Sequence, residues 1–355
     1  MKKLEDIRKK IDQIDEELIK LLNIRAELVK EVFEIKEKEK KSFFDPSREK
    51  KIVKRLLKKS KGILKTEDIE IFMESIFKIC RGLFKEIKVA YLGPEGTFTH
   101  LAAIRKFGEK AKYIPTKTID EVFREVEKFR ANYGVVPVEN SIEGIVTHTL
   151  DVFLESDLKI ISEISLEIHQ YLLSKEKSIE KIKKLYSHPQ ALAQCRKWIS
   201  EKLPNAEIYE TESTISAVKK VLKEKNSAAI ASEIASSMYN LNIIAERIED
   251  FRENITRFLV IGNDFAEKTG NDKTSILFSI KDRVGALHDI LLPFKKEKIN
   301  LTKIESRPSK KKAWEYVFFV DFIGHKDEEN VKRALKEVEK STVFLKILGS
   351  YPREG

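Results

Sequence analysis

The sequence is poor in cysteine: it has only Cys80 and Cys195, which lie far apart and outside any C-x-x-C pair. Cysteines in this pattern are typical of small buried hydrophobic side chains rather than of thiols with a chemical task. The six histidines show no metal-ligand spacing. The sequence therefore predicts no metal site.

Long apolar runs are missing as well. No stretch reaches the roughly 18 consecutive apolar residues that suggest a membrane-spanning helix. The first residues, MKKLED, become helical and charged at once, without an apolar signal region. We therefore expect a soluble, cytoplasmic protein without a membrane partner.

A concentrated basic stripe is also lacking. The formal net charge is +10, yet lysine and glutamate are intermixed over the whole length, which is typical of solvated helix faces. The sequence contains no recognisable nucleic-acid-binding module, so no nucleic acid partner is expected. The positive surplus would suit small dianionic substrates through electrostatic steering.

The length of 355 residues suggests two or three domains. The first part of the sequence predicts long helices. A helix over residues 4–39 is predicted by apolar side chains at three- and four-residue spacing, at Leu4, Ile7, Ile11, Ile14, Leu18 and Leu21. A second helix is predicted from about Asp45 to Lys61, and a third from Thr66 to about Lys85. The long first helix would leave an apolar stripe in water, so we expect a homodimer or a higher homo-oligomer.

From Ile87 the pattern changes to short alternating strands and helices. Strands are predicted at residues 88–92, 133–138, 185–187, 206–211, 227–231 and 242–246, with helices between them. One of these helices is predicted to follow the capping box at 118–121 and to run through Arg130, and another to open at Pro189 and to run through Leu203. This indicates an α/β region of two lobes, with loops at strand ends where ligand clefts form.

Residues 254–258 read NITRF; they follow the acidic run EDFRE and lead into an apolar strand. A threonine hydroxyl beside a guanidinium and out of solvent can protonate a leaving oxygen while the cation holds a carboxylate. In an extended segment Thr256 and Phe258 share one face and Arg257 points to the other, so one ligand meets all three only where the strand begins or bends. The alternative is an Asx-type turn followed by a core strand.

Four further motifs stand at predicted strand ends: GPEGT at 93–97, VPVENS at 136–141, SHPQ at 187–190 and ESTISA at 212–217. Gly93 and Gly96 allow a close backbone approach to a carboxylate at a helix N-terminus. The other three motifs offer hydrogen-bonding groups, and each also has a local explanation as a turn or a helix cap.

In this order the five motifs resemble the prephenate dehydratase family, over roughly residues 88–264. The resemblance implies a two-lobed, periplasmic-binding-like fold with prephenate in the cleft, and Thr256 as general acid on the departing hydroxyl. Loss of carbon dioxide would then drive aromatisation to phenylpyruvate. The residues that it implies for binding prephenate are Glu139, Asn140, Ser141, His188, Gln190, Ser213, Thr214, Arg257 and Phe258.

The N-terminal helices carry their own set of polar residues. Arg25 and Lys36 project within about 20° of each other on an ideal helix, whereas Arg8 is rotated by roughly 80° to 100° from both and is expected to serve a different pocket. The stretch resembles the all-helical chorismate mutase class, an intertwined dimer. The matching residues are Arg8 (acting in the opposite chain), Arg25, Lys36, Asp45, Arg48 and Glu49.

By this resemblance the arginines clamp two carboxylates, Lys36 donates to the breaking ether oxygen, and Asp45 and Glu49 hold the hydroxyl side. A pericyclic rearrangement needs a conformational clamp and donors aimed at developing charge, so no cofactor is implied. One departure concerns the end of the third helix, where the family has Gln or Glu and this chain has Phe84. Lys85 would serve only if the register is shifted by one.

The C-terminal pattern predicts a βαββαβ unit, with strands at 274–280, 301–308, 314–323 and 343–348 and helices opening near 285 and 328. The motifs GALH at 285–288 and ESRP at 305–308 resemble an ACT domain, which implies pairing of two chains and feedback inhibition by phenylalanine at their interface. The implied binding residues are Gly285, Ala286, Leu287, Glu305, Ser306, Arg307 and Pro308. The alternative is a small domain used only for dimerisation.

These resemblances predict three domains, at residues 1–87, 88–264 and 273–355, and a bifunctional enzyme that converts chorismate to prephenate and prephenate to phenylpyruvate. A second hypothesis keeps the dehydratase and makes the N-terminal helices a dimerisation element, which the Phe84 departure supports. A third is an amino-acid-sensing protein without catalysis, against which Thr256 and Arg257 argue.

Overall fold

The structure, a computed structural model, describes residues 2–39, 41–84, 86–280, 283–308 and 316–354. The chain forms two compact units, one of Met1–Asp45 with Lys51–Glu86 and the other of Pro46–Lys50 with Ile87–Gly355. Within the described residues no helix has the length and apolar character needed to cross a membrane.

The first three helices are α1 (Lys2–Lys38), α2 (Pro46–Lys59) and α3 (Thr66–Phe84), and the first unit contains α1, α3 and the part of α2 from Lys51 on. Pro46 stands at the first helical position of α2, where its missing N–H has no intrahelical partner to lose. The small core consists of Val53, Met73, Ile76, Phe77 and Cys80. The predicted three-helix arrangement is confirmed; Lys85, the predicted end of the third helix, lies outside the described residues.

The apolar stripe of α1 is exposed to solvent in the single chain. Leu4 is 55% exposed, Ile11 is 50% exposed and Leu21 is 55% exposed. A row of half-exposed large aliphatic side chains along one helix is typical of a surface that a partner covers.

The second unit starts with the first lobe of an α/β region. Its elements are β1 (Lys88–Leu92), α4 (Phe98–Phe107), β2 (Lys112–Thr116), α5 (Ile119–Glu127), β3 (Tyr133–Asn140), β4 (Gly144–Ile145), α6 (Thr147–Phe153) and β5 (Lys159–Glu167). Strands β1, β2 and β3 are parallel, as their α/β connections require. Helix α5 was expected to reach Arg130, but it ends at Glu127 and Phe129 adopts a positive φ of 55°.

The second lobe carries its own five-stranded sheet. Its elements are β6 (Tyr171–Ser174), β7 (Lys184–Ser187), α7 (Pro189–Gln194), α8 (Arg196–Lys202), β8 (Glu207–Glu210), α9 (Thr214–Val221), β9 (Ser227–Ala231), α10 (Glu233–Tyr239) and β10 (Asn242–Ala245). The strand order is β10-β6-β9-β7-β8. A single helix was expected from Pro189 to Leu203, but it divides at Cys195, which is buried as predicted.

The chain then returns to the first lobe in β11 (Ile255–Gly262), which inserts between β3 and β5 and is antiparallel to both. The completed sheet has the order β2-β1-β3-β11-β5, with β4 against β3. The chain thus crosses between the lobes twice, from β5 to β6 and from β10 to β11. This is the arrangement of a two-lobed, periplasmic-binding-like region.

The C-terminal part is an antiparallel sheet covered by two helices. Its elements are β12 (Asp272–Ser279), α11 (Ala286–Lys296), β13 (Leu301–Pro308), β14 (Tyr316–Ile323), α12 (Glu329–Ser341) and β15 (Phe344–Pro352). The order β13-β14-β12-β15 confirms the predicted βαββαβ unit. Trp314, the predicted start of the third strand, lies outside the described residues.

The face of this sheet away from its helices packs on the first lobe. Leu277, Phe319 and Leu348 share one buried cluster with Leu259 and Ile261 of β11. The backbones come so close that a Cβ at Gly349 would stand 2.1 Å from the carbonyl oxygen of Ile160. The C-terminal sheet therefore lies directly behind the strand that carries Thr256.

Candidate active sites

Thr256 is the second residue of β11, and its register partner on β3 is Asn140. The Asn140 carboxamide donates from Nδ2 to Thr256 Oγ1 over 2.8 Å and to Asn254 Oδ1 over 2.6 Å. Its Oδ1 accepts the backbone N–H groups of Ile142 and Glu143, both at 3.0 Å, so the orientation of the amide follows from four partners. Since Asn140 occupies a lone pair of the Thr256 oxygen, the hydroxyl hydrogen is available to a ligand.

Ser141, the next residue, has a structural role in this cluster. Its hydroxyl donates to the carbonyl of Glu253 over 2.9 Å and accepts the N–H of Ile255 over 2.9 Å. These two bonds fasten the end of β3 to the start of β11, which keeps Asn140 and Thr256 in register.

Arg257 lies on the opposite face of β11 from Thr256, because successive side chains of a strand alternate. Its guanidinium donates to Glu163 over 2.9 Å, to Asp321 over 2.6 Å and to the Tyr351 hydroxyl over 3.0 Å. Burial opposes its charge, but Tyr351, Asp321 and Glu163 outweigh burial and raise the pKa of Arg257 further. The guanidinium is therefore held by β5 and by the C-terminal sheet, on the side of β11 away from the Thr256 hydroxyl.

Glu139 lies on the same rear face as Arg257, its register partner. One oxygen stands 2.8 Å from the ammonium of Lys303 and 3.7 Å from the Arg257 guanidinium. Phe258 points to the Thr256 face but is only 1% exposed, within the core. Strand alternation separates Arg257 from Thr256 in this geometry, and burial separates Phe258 from solvent.

The loop at residues 93–97 leads into α4. The Thr97 hydroxyl accepts the N–H of His100, and His100 Nδ1 accepts the N–H of Gly96 over 3.1 Å. Burial lowers the pKa of His100, which keeps the ring neutral and able to accept. Gly96 has a φ of +86°, and its carbonyl accepts the Ser232 hydroxyl of the second lobe over 2.6 Å. A Cβ at Gly96 would stand 2.6 Å from Ile215 Cδ1, so an alanine there would force Ile215 of the second lobe to shift.

The two predicted motifs of the second lobe act locally as helix caps. His188 Nδ1 accepts the N–H of Gln190 over 3.3 Å, and Ser213 Oγ accepts the N–H of Ser216 over 3.0 Å. Thr214 is the first residue of α9. Capping and ligand binding by these N-termini are compatible, because most of the first-turn N–H groups stay unpaired within a helix.

Glu143 was not singled out from the sequence, although it follows the VPVENS motif by two residues. Its carboxylate accepts hydrogen bonds from the side chains of Gln190 and Gln194, the latter over 3.1 Å. Glu143 thus connects the first lobe to α7 of the second, and it does so through one of the predicted prephenate-binding residues.

A second group missed by sequence reasoning lies at the crossovers between the lobes. His169 Nδ1 is 2.7 Å from the buried carboxylate of Glu249, and His169 Nε2 is 3.1 Å from Glu167. Two neighbouring clefts, of about 570 and 640 Å³, are both lined by Glu167, His169 and Arg247, and the second is also lined by Glu249. Of the predicted prephenate-binding residues, only Ser141 lines either cleft.

In the first unit the structure places the predicted residues Lys36 and Asp45 beside each other. Lys36 Nζ lies 3.4 Å from Asp45 Oδ2. Arg25 donates from Nη1 to Cys80 Sγ over 3.0 Å and lies 5.5 Å above the Phe77 ring. The remaining predicted residues are Arg8, exposed on α1, and Arg48 and Glu49, in the first turn of α2.

The residues predicted to bind phenylalanine lie at two places in the C-terminal sheet and its helices. Gly285 caps α11 with a φ of 78°, and Ala286 and Leu287 follow it in the first turn. Glu305, Ser306, Arg307 and Pro308 end β13, the edge strand of the sheet. The Arg307 guanidinium stands 3.7 Å from Asp151 of the first lobe, while Ser306 is exposed.

A helical unit, a two-lobed α/β region with an oriented threonine hydroxyl, and an appended βαββαβ sheet define a modular enzyme of small-molecule metabolism. Family models agree in the same order: chorismate mutase type II matches residues 7–84, prephenate dehydratase residues 89–266 and the ACT domain residues 274–340. The chain belongs to the family of bifunctional chorismate mutase/prephenate dehydratases.

Two relatives and one solved structure illustrate the similarity. The bifunctional enzyme of Aquifex aeolicus is 53% identical over 99% of both chains, and that of Pseudomonas aeruginosa is 46% identical over 99% of this chain and 98% of its own. The crystal structure of prephenate dehydratase from Arthrobacter aurescens, in complex with L-Phe, is 34% identical with a TM-score of 0.70. It covers 75% of this chain and 90% of its own.

Proposed function

We propose that the chain rearranges chorismate to prephenate and then dehydrates and decarboxylates prephenate to phenylpyruvate, in aromatic amino acid biosynthesis. The observation that carries the second step is the 2.8 Å hydrogen bond from Asn140 to the Thr256 hydroxyl. This bond leaves the hydroxyl proton free for transfer and supplies a donor to the oxygen that loses it.

In the dehydratase step Thr256 protonates the departing hydroxyl group, which leaves as water. The bond to the ring carboxylate breaks, carbon dioxide leaves, and the electron pair of that bond completes the aromatic ring. The Asn140 N–H stabilises the oxygen of Thr256 while it carries negative charge. Solvent then returns the proton to Thr256, so the reaction consumes one proton and needs no cofactor.

We further propose that prephenate lies between the lobes. The support is that the loop at 93–97, the β3 end and the N-termini of α7 and α9 come from both lobes and are joined by Ser232 and Glu143. Ser141, His188, Gln190, Ser213 and Thr214 belong to these segments. Roles for Glu139, Arg257 and Phe258 in binding prephenate stay predictions.

For the mutase we propose a site made of Arg25, Lys36, Asp45, Arg48 and Glu49, completed by Arg8 of the partner subunit. A homodimer is supported by the exposed apolar stripe on α1, since a second α1 offers a surface of the same kind. The Lys36–Asp45 pair supports the placement of a donor beside an acceptor for the substrate hydroxyl. The domain boundaries and the cytoplasmic location stay predictions.

We also propose allosteric feedback by phenylalanine, bound by residues 285–287 and 305–308 where two C-terminal domains pair. The related dehydratase of Arthrobacter aurescens was crystallised with L-Phe, which supports this ligand. The free edge of β13, within the described part of the sheet, supports pairing at that place.

The rate at which the purified chain consumes chorismate, corrected for the uncatalysed rearrangement, tests the proposal. Loss of chorismate with accumulation of phenylpyruvate is expected. Chorismate left untouched while added prephenate is turned over would instead support the hypothesis that the N-terminal helices only dimerise. Neither substrate consumed would favour a sensor without catalysis.

A further inference from the structure

Among the ion pairs that join the C-terminal sheet to the first lobe, two lie directly behind the candidate catalytic residues. Lys303 of β13 reaches Glu139 of β3 at 2.8 Å, with the lysine side chain only 9% exposed. Asp321 of β14, fully buried, holds Arg257 of β11 at 2.6 Å. Both pairs connect the C-terminal sheet to the sheet of the first lobe.

The residues they hold are sequence neighbours of the catalytic pair. Glu139 precedes Asn140, and Arg257 follows Thr256. Across the two strands, Arg257 is paired with Glu139 and Thr256 with Asn140. Side chains alternate along a strand, so one face of this four-residue patch binds the C-terminal sheet and the other forms the hydroxyl cluster.

The charged side chains on the rear face of these strands are costly to remove from water. The buried Lys303 ammonium has Glu139 as a close ion-pair partner, but the angles between the two groups do not allow a hydrogen bond. Asp321 also accepts from the Ser275 hydroxyl over 2.5 Å, and Ser275 contacts the Tyr351 hydroxyl over 2.8 Å. Buried charges of this kind contribute little net stability, yet removal of one partner leaves the other uncompensated.

We propose that Lys303 and Asp321 are positioning residues for the dehydratase reaction: through Glu139 and Arg257 they set the distance between Asn140 and Thr256. This inference rests on the proposed role of Thr256. Lys303 stands two residues before the motif at 305–308 on the same strand. A ligand that shifts this strand therefore moves Lys303 and, through it, the catalytic hydrogen bond.

The test compares Lys303→Met, Lys303→Arg and Asp321→Asn in the full-length chain. The matched control is Lys332→Met, a lysine of the same domain whose partner Glu329 is solvent-exposed. Dehydratase kcat and KM, mutase rate and thermal midpoint are measured on each variant. The thermal midpoint reports whether the dehydratase region is folded, and the mutase rate of the same molecules serves as the reference activity.

Lys303→Met and Asp321→Asn are expected to lower dehydratase kcat by about 10-fold to 100-fold, because small misplacements of catalytic groups have effects of that size. KM is expected to change little, the mutase rate to stay at the wild-type value and Lys303→Arg to recover most of the turnover. The phenylalanine concentration for half-inhibition is expected to rise about fivefold or more in Lys303→Met.

A double variant gives the decisive readout. If Lys303 acts through Asn140, its effect on kcat is much smaller in an Asn140→Ala background, since coupled residues are not additive. Additive effects, or unchanged kcat in both Lys303→Met and Asp321→Asn, would overturn the inference. If Lys303→Met also lowers mutase activity through misfolding, Asp321→Asn decides alone, because it keeps the size and one acceptor oxygen.

A separate variant tests the proposed role of Thr256. Thr256→Ala with wild-type turnover would remove the catalytic assignment on which this inference rests. Loss of turnover in Thr256→Ala together with normal turnover in the Lys303 and Asp321 variants would overturn only the positioning role.

Discussion

Asn140 donates a hydrogen bond to the hydroxyl of Thr256 over 2.8 Å, although 116 residues separate them in the chain. The bond forms because β11 returns from the second lobe to lie against β3, with the two residues paired in register. The bond connects the VPVENS and NITRF motifs, which the sequence related to each other only by their order, and it orients the hydroxyl of the proposed acid.

Thr256→Ala is expected to lower dehydratase kcat by about 100-fold or more, in the range of general-acid catalysis, with KM for prephenate little changed. Thr256→Ser keeps the hydroxyl and is expected to retain much more activity. Steady-state kinetics on prephenate make the comparison. A loss that falls entirely on KM would contradict the acid role.

Gly96→Ala is expected to lower both the stability of the dehydratase region and its kcat/KM, because the new Cβ would meet Ile215 at 2.6 Å. Gly270→Ala is the control, since Gly270 has nearly the same φ, +85°, but open space around its Cβ position. Both variants carry a backbone cost of about 1–2 kcal/mol, and only Gly96→Ala adds the clash between lobes. Equal losses in the two variants would argue against the contact.

His100 is expected to make stability depend on pH. Burial lowers the pKa of His100 in the folded chain below the unfolded value of about 6.5. The unfolded state then binds more protons in that window, so this contribution to stability is complete above about pH 6.5 and is lost as the pH falls below it.

His100→Asn places an acceptor near the position of Nδ1 without a titrating group. Denaturant unfolding between pH 7.5 and 5.5 is expected to show a smaller decline in this variant than in the wild type. The same slope for both chains would show that His100 does not titrate in that window.

Arg8 is expected to act in the partner subunit. Arg8→Ala and Lys36→Ala should each abolish most mutase activity alone. Mixed chains should regain about one quarter of the wild-type rate, because half of the dimers are then mixed and each has one intact site. Mixtures that stay as inactive as the separate variants would place Arg8 and Lys36 in the same pocket of one chain.

Much of the fold was predictable, because its signals are local. The spacing of Leu4, Ile7 and Ile11 predicted α1, and Pro46 marked the start of α2. The break at Cys195 and the early end of α5 were not predicted, since they depend on packing rather than on periodicity. Strands β5 and β6 were also not predicted. Most residues of each strand are buried, so the two strands show no clear alternation of apolar and polar side chains.

The candidate site was predicted in part. The sequence identified Thr256, Asn140 and Ser141, and the structure brings these three together. Glu143 and Glu249 were missed, because a charged residue in a polar loop has no sequence signal that separates a contact between lobes from a solvated surface.

The sequence by itself determined that Thr256 and Arg257 face opposite ways, because alternation is a property of any extended strand. It could not determine what each side chain would meet. Arg257 binds Asp321 and Glu163, which are 64 and 94 residues away in the chain. The Asp321 contact exists because the C-terminal sheet packs behind β11, and the Glu163 contact exists because β5 pairs with β11. Both depend on the packing of distant segments, which the tertiary structure alone decided.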